Sequence, residues 1–241
     1  MAPLDGSRGV GSVQTLTVAD QSKVDTAVKN FARLALPIRT LAVADVSGSM
    51  NIQAGSQTRM QLMISAGGNG LTLFNDNAAL GLWAFSTNLD GPGKDYRELV
   101  PIRKMGEASE GISQRQQIAQ SVLSLPALIG GATGLYDTVL AAWRKVKESY
   151  DPGAINSVIL LTDGANEDPG SISLDELLAI FQREQDPARP VQVVTIGITK
   201  DADAPVLQKI SAATQSSSFI AENPADIPGV FVKALMTRED G

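Results

Sequence analysis

Two short runs constrain this chain more than anything else in it: Leu41-Ala42-Val43-Ala44, ending at Asp45, and Val158-Ile159-Leu160-Leu161, leading to Asp163. Such brief, wholly apolar stretches, without polar alternation, are the pattern of strands covered on both faces. Strands of that kind belong to parallel sheets, whose crossovers lay helices on each side. Leu80 to Phe85 and Val191 to Ile198 repeat the pattern, and Ser218 to Ala221 is a last short strand. Tyr96 to Ile102 follows the turn signal Gly91-Pro92-Gly93 and reads as a hairpin partner on the sheet edge.

Helical periodicities fill the intervals. Asp20 stands as N-cap before Val24, Val28, Phe31 and Leu34. Met60, Met63, Ile64, Gly67, Leu71 and Phe74 form the next face, with Gly67, Gly68 and Gly70 expected to permit close contact with the sheet. Residues 113 to 124 are expected to be helical, followed by the stripe Leu135, Val139, Ala142, Trp143 and Val146. Ser173 and Glu176 form a capping box ahead of Leu174, Leu177, Leu178 and Phe181. Asp203 with Pro205 opens another helix, and Asn223 with Pro224 caps a final one through Ile227, Val230, Phe231 and Leu235. Trp143 and Met60 sit at core spacing, so packing is their expected role.

This alternation predicts an α/β, doubly wound domain: a mostly parallel central sheet of about six strands, one a short antiparallel edge strand, flanked by helices on both faces. Ligands of such sheets bind beyond the strands' carboxyl ends. The domain is expected over residues 20 to 241, after a tail or linker remnant over 1 to 19. Residues 1 to 16 hold three glycines and have neither the basic start nor the apolar stretch of a secretory signal.

Composition narrows the chemistry. A net charge of −6 gives no basic footprint for nucleic acid, and no apolar run is long enough to insert in a bilayer. The chain has no cysteine and no histidine, which removes thiolate zinc sites, cysteine nucleophiles and the usual partner of a catalytic serine. These absences weigh against most hydrolases, and a non-enzymatic role is expected.

Asp45-Val46-Ser47-Gly48-Ser49 puts a carboxylate and two hydroxyls on alternate residues of a loop leaving a buried strand. Gly130-Gly131-Ala132-Thr133-Gly134 adds a hydroxyl before a helix, and Thr162-Asp163-Gly164 adds a second carboxylate. All three loops should open on one edge of the sheet. An all-oxygen shell suits a hard cation such as magnesium, manganese or calcium, whereas zinc and copper favour nitrogen and sulfur donors.

These residues resemble the metal-ion-dependent adhesion site (MIDAS) of von Willebrand factor type A (VWA) domains: Asp45-x-Ser47-x-Ser49, Thr133 and Asp163 match its five positions. Gly131 through Asp137 and Leu160 through Gly164 also resemble family segments around the metal loops. The resemblance implies a Rossmann-like VWA fold acting as a metal-dependent protein-binding or adhesion module. Ser47, Ser49 and Thr133 would coordinate by hydroxyl, Thr133 according to conformation, and Asp45 and Asp163 directly or through water. Magnesium is the expected ion, with manganese or calcium as alternatives, and a protein partner's Asp or Glu would complete the octahedron. In that family, swinging of the last helix can be coupled to the metal loops, which makes the helix from Pro224 to Met236 a candidate switch element. The wording around the motifs further resembles bacterial proteins in which an extracytoplasmic solute-binding-like domain precedes an A domain, so an extracytoplasmic or cell-surface location is expected.

Blander readings accompany several of these residues. Thr133 alone would serve as the N-cap of the helix from Leu135. Asp137, four residues on, would either hold a hydroxyl or water beside the metal or be a solvated helix-start acid. Glu167-Asp168, Asp201 and Asp203 would either enlarge a cation site or simply solubilise the loop edge, and Lys94 with Arg97 would either contact an anionic partner or form a solvated surface pair. The enzymatic alternative is a magnesium-dependent phosphatase or phosphotransferase resembling the haloacid dehalogenase family, with Asp45 as nucleophile and the Asp163 loop holding magnesium. That mechanism needs an acid two residues after the nucleophile, where this chain has Ser47. Neither a Walker phosphate loop nor a dinucleotide fingerprint follows the first strand.

Overall fold

The computed structural model describes residues 36–222, together with 226, 229 and 230. A single mostly parallel sheet organises them. Its strands are β1 (Ile38–Asp45), β2 (Ala79–Phe85), β3 (Tyr96–Lys104), β4 (Ile155–Thr162), β5 (Val191–Ile198) and β6 (Ser218–Ala221). In space they run β6-β5-β4-β1-β2-β3, and every pairing is parallel except that of β2 with β3. The expected antiparallel edge strand is present but not short: at 9 residues β3 is longer than any of its neighbours. An edge position explains this, since only one side of β3 must match a partner, and its pairing with β2 breaks register around Leu82.

Helices α1 (Arg59–Leu71), α2 (Gln114–Ser124), α3 (Leu135–Glu148), α4 (Leu174–Glu184) and α5 (Ala204–Ala213) supply the crossovers. The sheet's two faces carry separate cores. Ala44, Leu80, Leu82, Ile159 and Leu161 face Met60 and Met63 of α1 and Ile118 of α2. Leu41, Val43, Phe85, Val158 and Leu160 face Val139 and Trp143 of α3, Leu177 and Phe181 of α4, and Leu207 and Ile210 of α5. Alternate residues of one strand thus serve opposite cores, which is why the central runs read as apolar throughout. Trp143 is buried, donates its indole N–H to the Val191 carbonyl (3.1 Å) and packs on Phe181 with ring centroids 5.0 Å apart.

Capping chemistry fixes the helix starts. The Ser173–Glu176 capping box is formed, and Asp203 accepts from the Val206 N–H at 3.2 Å. Thr58 with Gln61, and Ser113 with Gln116, form two further boxes, each preceded by a small hairpin (Gln53–Ala54 with Gln57–Thr58, and Ala108–Ser109 with Ile112–Ser113). Gly67 does not approach the sheet as expected: a Cβ there would meet Val122 of α2 at 3.8 Å, and at Gly68 it would meet nothing. Gly67 therefore faces a neighbouring helix and not a strand. The helix expected from Asp20, and all of that expected from Asn223 except Asp226, Gly229 and Val230, lie outside the described residues.

The chain order reverses between β1 and β4, which are adjacent in the sheet although far apart in sequence. Loops leaving the carboxyl ends of two such strands part to opposite faces, and a crevice opens between them.

Candidate metal centre

Asp45 closes β1 and Asp163 follows β4, so the two carboxylates flank that crevice. Asp45 is fully buried (0% exposed) and both of its oxygens are engaged. Oδ1 accepts from the Ser47 backbone N–H at 2.8 Å, and Oδ2 accepts from the Thr162 hydroxyl at 2.6 Å. Burial above all pushes its carboxyl up to about 6, with a smaller rise from the Asp163 charge, against the hydrogen bonds of Ser47 and Thr162. A buried carboxylate held short of full ionic comfort is electrostatically suited to a cation.

The hydroxyls continue from it. Ser47 Oγ lies 3.0 Å from Ser49 Oγ, which donates to Asp163 Oδ1 at 2.7 Å. The short 3₁₀ turn Gly48–Asn51 makes this possible by curling the loop immediately after Ser47. Thr133 joins through the third loop: it is 1% exposed, and a Cβ built on Gly164 would stand 3.5 Å from its hydroxyl. Four of the five residues expected from the sequence are thus in one hydrogen-bonded network, and the fifth, Thr133, lies against Gly164, the residue following Asp163.

Backbone contacts lock the three loops together. The Gly48 N–H donates to the Gly131 carbonyl (3.0 Å), the Gly130 N–H to the Val46 carbonyl (2.9 Å) and the Glu167 N–H to the Thr133 carbonyl (2.9 Å). Gly131 must be glycine: its φ is +71°, and a Cβ would lie 3.0 Å from the Thr87 hydroxyl and 3.1 Å from the Thr87 carbonyl. Thr133 is not the N-cap of α3. Gly134 occupies that position without a side-chain bond, and Asn166 Oδ1 accepts from the Leu135 N–H (2.9 Å) instead. With its capping role taken over by a residue of another loop, the Thr133 side chain is available to the cluster.

Other charged residues of interest lie around this cluster. Asp137 makes no direct hydrogen bond to Thr133 among the described residues; its Oδ1 accepts from the Ile172 N–H at 3.5 Å. It groups with Asp95 and Asp168, whose carboxylate oxygens and its own all lie within 4.8 Å of one another. Burial first, then the Asp168 and Asp137 charges, raise the Asp95 carboxyl above its ordinary value against the Asn88 N–H that donates to it. Lys94 and Arg97 both pair with Asp90, at 2.6 and 3.1 Å, as a surface cluster. Asp201 is no mere solubilising acid: it pairs with Arg59, which also donates to Asp163 Oδ2 at 2.8 Å. Arg59, Thr162 and Asn166 are residues of this centre that the motif does not reveal.

The donor set fits a hard divalent cation: hydroxyl and carboxylate oxygens converge, with no nitrogen or sulfur ligand among the described residues. The sequence profile of the von Willebrand factor type A domain family matches residues 41–232. The chain belongs to that family. An uncharacterized protein of Mycobacterium tuberculosis, Rv1836c, is 22% identical over 203 residues, covering 84% of this chain and 28% of the relative, so the chain spans under a third of that protein's length. Among solved structures, a VWA protein of Catenulispora acidiphila aligns with TM-score 0.65 at 22% identity, over 84% of this chain and 42% of that one. Proximal thread matrix protein 1 of the mussel byssus, with zinc in its MIDAS motif, aligns with TM-score 0.62 at 14% identity, over 83% and 48%. These likenesses carry the VWA fold. Among the described residues no helix is long and apolar enough to cross a membrane.

Proposed function

We propose that this VWA domain is a metal-dependent protein-binding module, in which Asp45, Ser47, Ser49, Thr133 and Asp163 hold a divalent cation that captures a carboxylate of a protein partner. The observation that carries the reading is the continuous run of oxygen donors, Ser47 to Ser49 to Asp163 with Asp45 bonded to the same loop, at the crevice between β1 and β4. When bound, the cation supplies an electrophilic position turned toward an external anion. The chain's own residues prepare it. The neutral hydroxyls of Ser47, Ser49 and Thr133 contribute oxygen without charge, and the Thr162 hydroxyl fixes the Asp45 carboxylate.

A hard cation is the expected occupant because every donor is oxygen, magnesium first with manganese or calcium as alternatives. The zinc-occupied MIDAS of the mussel protein makes zinc the ion to test beside it. An extracytoplasmic or cell-surface setting, with an upstream solute-binding-like domain in a longer protein, accords with this adhesive role. A phosphatase of haloacid dehalogenase type finds no support: Ser47 stands where that chemistry needs an acid, and its hydroxyl is bound into the Ser49 network.

Calorimetric titration of magnesium, manganese, calcium and zinc into the metal-free protein and into an Asp45→Ala variant tests the reading. Heat of binding in the wild type alone is the expected result. Equal heats in the two proteins, or none in either, refute it.

A further inference from the structure

Arg59 is placed where stability alone would not put it. It is the first residue of α1, at the positive end of the helix macrodipole, where a cation is disfavoured. It is 7% exposed, and its Nε–H has no hydrogen-bond partner among the described residues, which costs stability again. Both of its terminal nitrogens are nevertheless engaged: Nη1 donates to Asp163 Oδ2 at 2.8 Å, and Nη2 donates to the Asp201 carboxylate. Its backbone N–H donates to the Ile52 carbonyl at 3.0 Å, fixing the guanidinium's root to the loop that carries Ser47 and Ser49.

The consequence for Asp163 is specific. Oδ2 is held by a permanent cation and Oδ1 is the oxygen that faces Ser49. A metal held by this cluster can therefore meet Asp163 through Oδ1 alone, directly or through water. The guanidinium also cancels part of the resident negative charge, so that a bound ion retains more of its own. Resting on the metal-site reading above, we propose that Arg59 is a positioning residue that sets the charge of this centre, weakening the hold on the bare cation and strengthening that cation's pull on an external carboxylate.

Charge and scaffold roles make opposite demands on one measurement. Manganese binding is followed by electron paramagnetic resonance at pH 8, with and without excess acetate as the carboxylate probe, in wild type, Arg59→Gln, Arg59→Lys and Asp201→Asn. Removing the guanidinium charge in Arg59→Gln is expected to tighten manganese binding by about tenfold and to shrink the further tightening that acetate gives the wild type. Removing the half-exposed Asp201 charge is expected to weaken manganese binding by about threefold, because Arg59 then bears on Asp163 alone. A purely structural Arg59 would weaken binding in both variants, and that result, or an unchanged affinity in Arg59→Gln with native circular dichroism, overturns the proposal. Should Arg59→Gln fail to fold, Arg59→Lys decides: affinity within about twofold of wild type supports a charge role, and a loss comparable to that of Asp45→Ala overturns it. A wild type that binds no manganese refutes the metal-site reading itself, a failure distinct from wild-type binding with the wrong sign in Arg59→Gln.

Discussion

Replacing Asp45 by asparagine should stabilise the metal-free protein while abolishing its response to metal. Asp45 is 0% exposed, and its carboxyl is pushed from an ordinary value of 3.8 up to about 6, chiefly by burial. A displacement of roughly 2 units at 1.36 kcal/mol each makes ionised Asp45 a liability of about 3 kcal/mol to the empty fold. The folded value lies above the unfolded one, so this stability is fully present below about pH 4 and is lost as pH rises through about 6. The asparagine side chain has no charge to bury and can still accept from the Ser47 N–H, but the Thr162 hydroxyl must turn from donor to acceptor, at a cost of about 1 kcal/mol. The net gain expected for Asp45→Asn at pH 7.5 in chelator is about 2 kcal/mol, or about 4–8 °C in Tm for a domain of this size. Magnesium at a hundredfold excess over its Kd adds about 2.7 kcal/mol to the wild type and nothing to the variant, which brings the two level or reverses their order. Thermal melts of both proteins from pH 4.5 to 7.5, with chelator and with magnesium, make the comparison. A variant less stable than wild type in chelator at pH 7.5, or a difference between the two that ignores pH, would show that Asp45 is not held as an uncomfortable anion.

Removing the other donor to that carboxylate tests the same electrostatics from outside. Thr162→Val deletes the hydroxyl 2.6 Å from Asp45 Oδ2, so the Asp45 carboxyl should rise further; the pH midpoint of magnesium binding, followed by calorimetry, is expected to move upward. Gly134→Ala would drive a Cβ to within 2.4 Å of Asp95 Oδ2, and chemical denaturation should register a loss of about 1–3 kcal/mol as the Asp95 loop shifts. Phe181→Ala opens a void under Trp143 in the α3–α4 core and should cost about 3–5 kcal/mol with little change in metal affinity, separating packing from site chemistry. Arg144→Ala breaks an exposed pair with Glu184 and should change stability by less than about 1 kcal/mol in the same assay.

What the sequence discloses and what it conceals divide along the reach of the interactions. Strands buried on both faces and the Ser173–Glu176 box announce themselves because their causes lie within a few residues, and β5 and β6 fall where the apolar runs place them. The placement of the five oxygen-bearing residues of the candidate site is legible for a related reason: each stands at or just beyond the carboxyl end of a recognisable strand or before a recognisable helix. The two small hairpins ahead of α1 and α2 are not legible in the same way. That between Ser109 and Ile112 turns through Glu110 and Gly111 at φ of 55° and 86°, and Glu carries none of the Asn or Asp preference that usually marks such a turn. Thr133 as a helix cap is a sound local inference overturned from a distance, because Asn166, on the loop after β4, reaches the same N–H groups first. Arg59 escapes for the most physical of reasons. A basic residue opening a helix looks like a solvated surface charge, and its meaning depends on two acids 104 and 142 positions away that only the β1–β4–β5 strand order brings to it. The identity of metal ligands can be written in a local motif, but the charge they present depends on partners that the fold delivers, and a motif match alone therefore says less about how tightly an ion is held than about where.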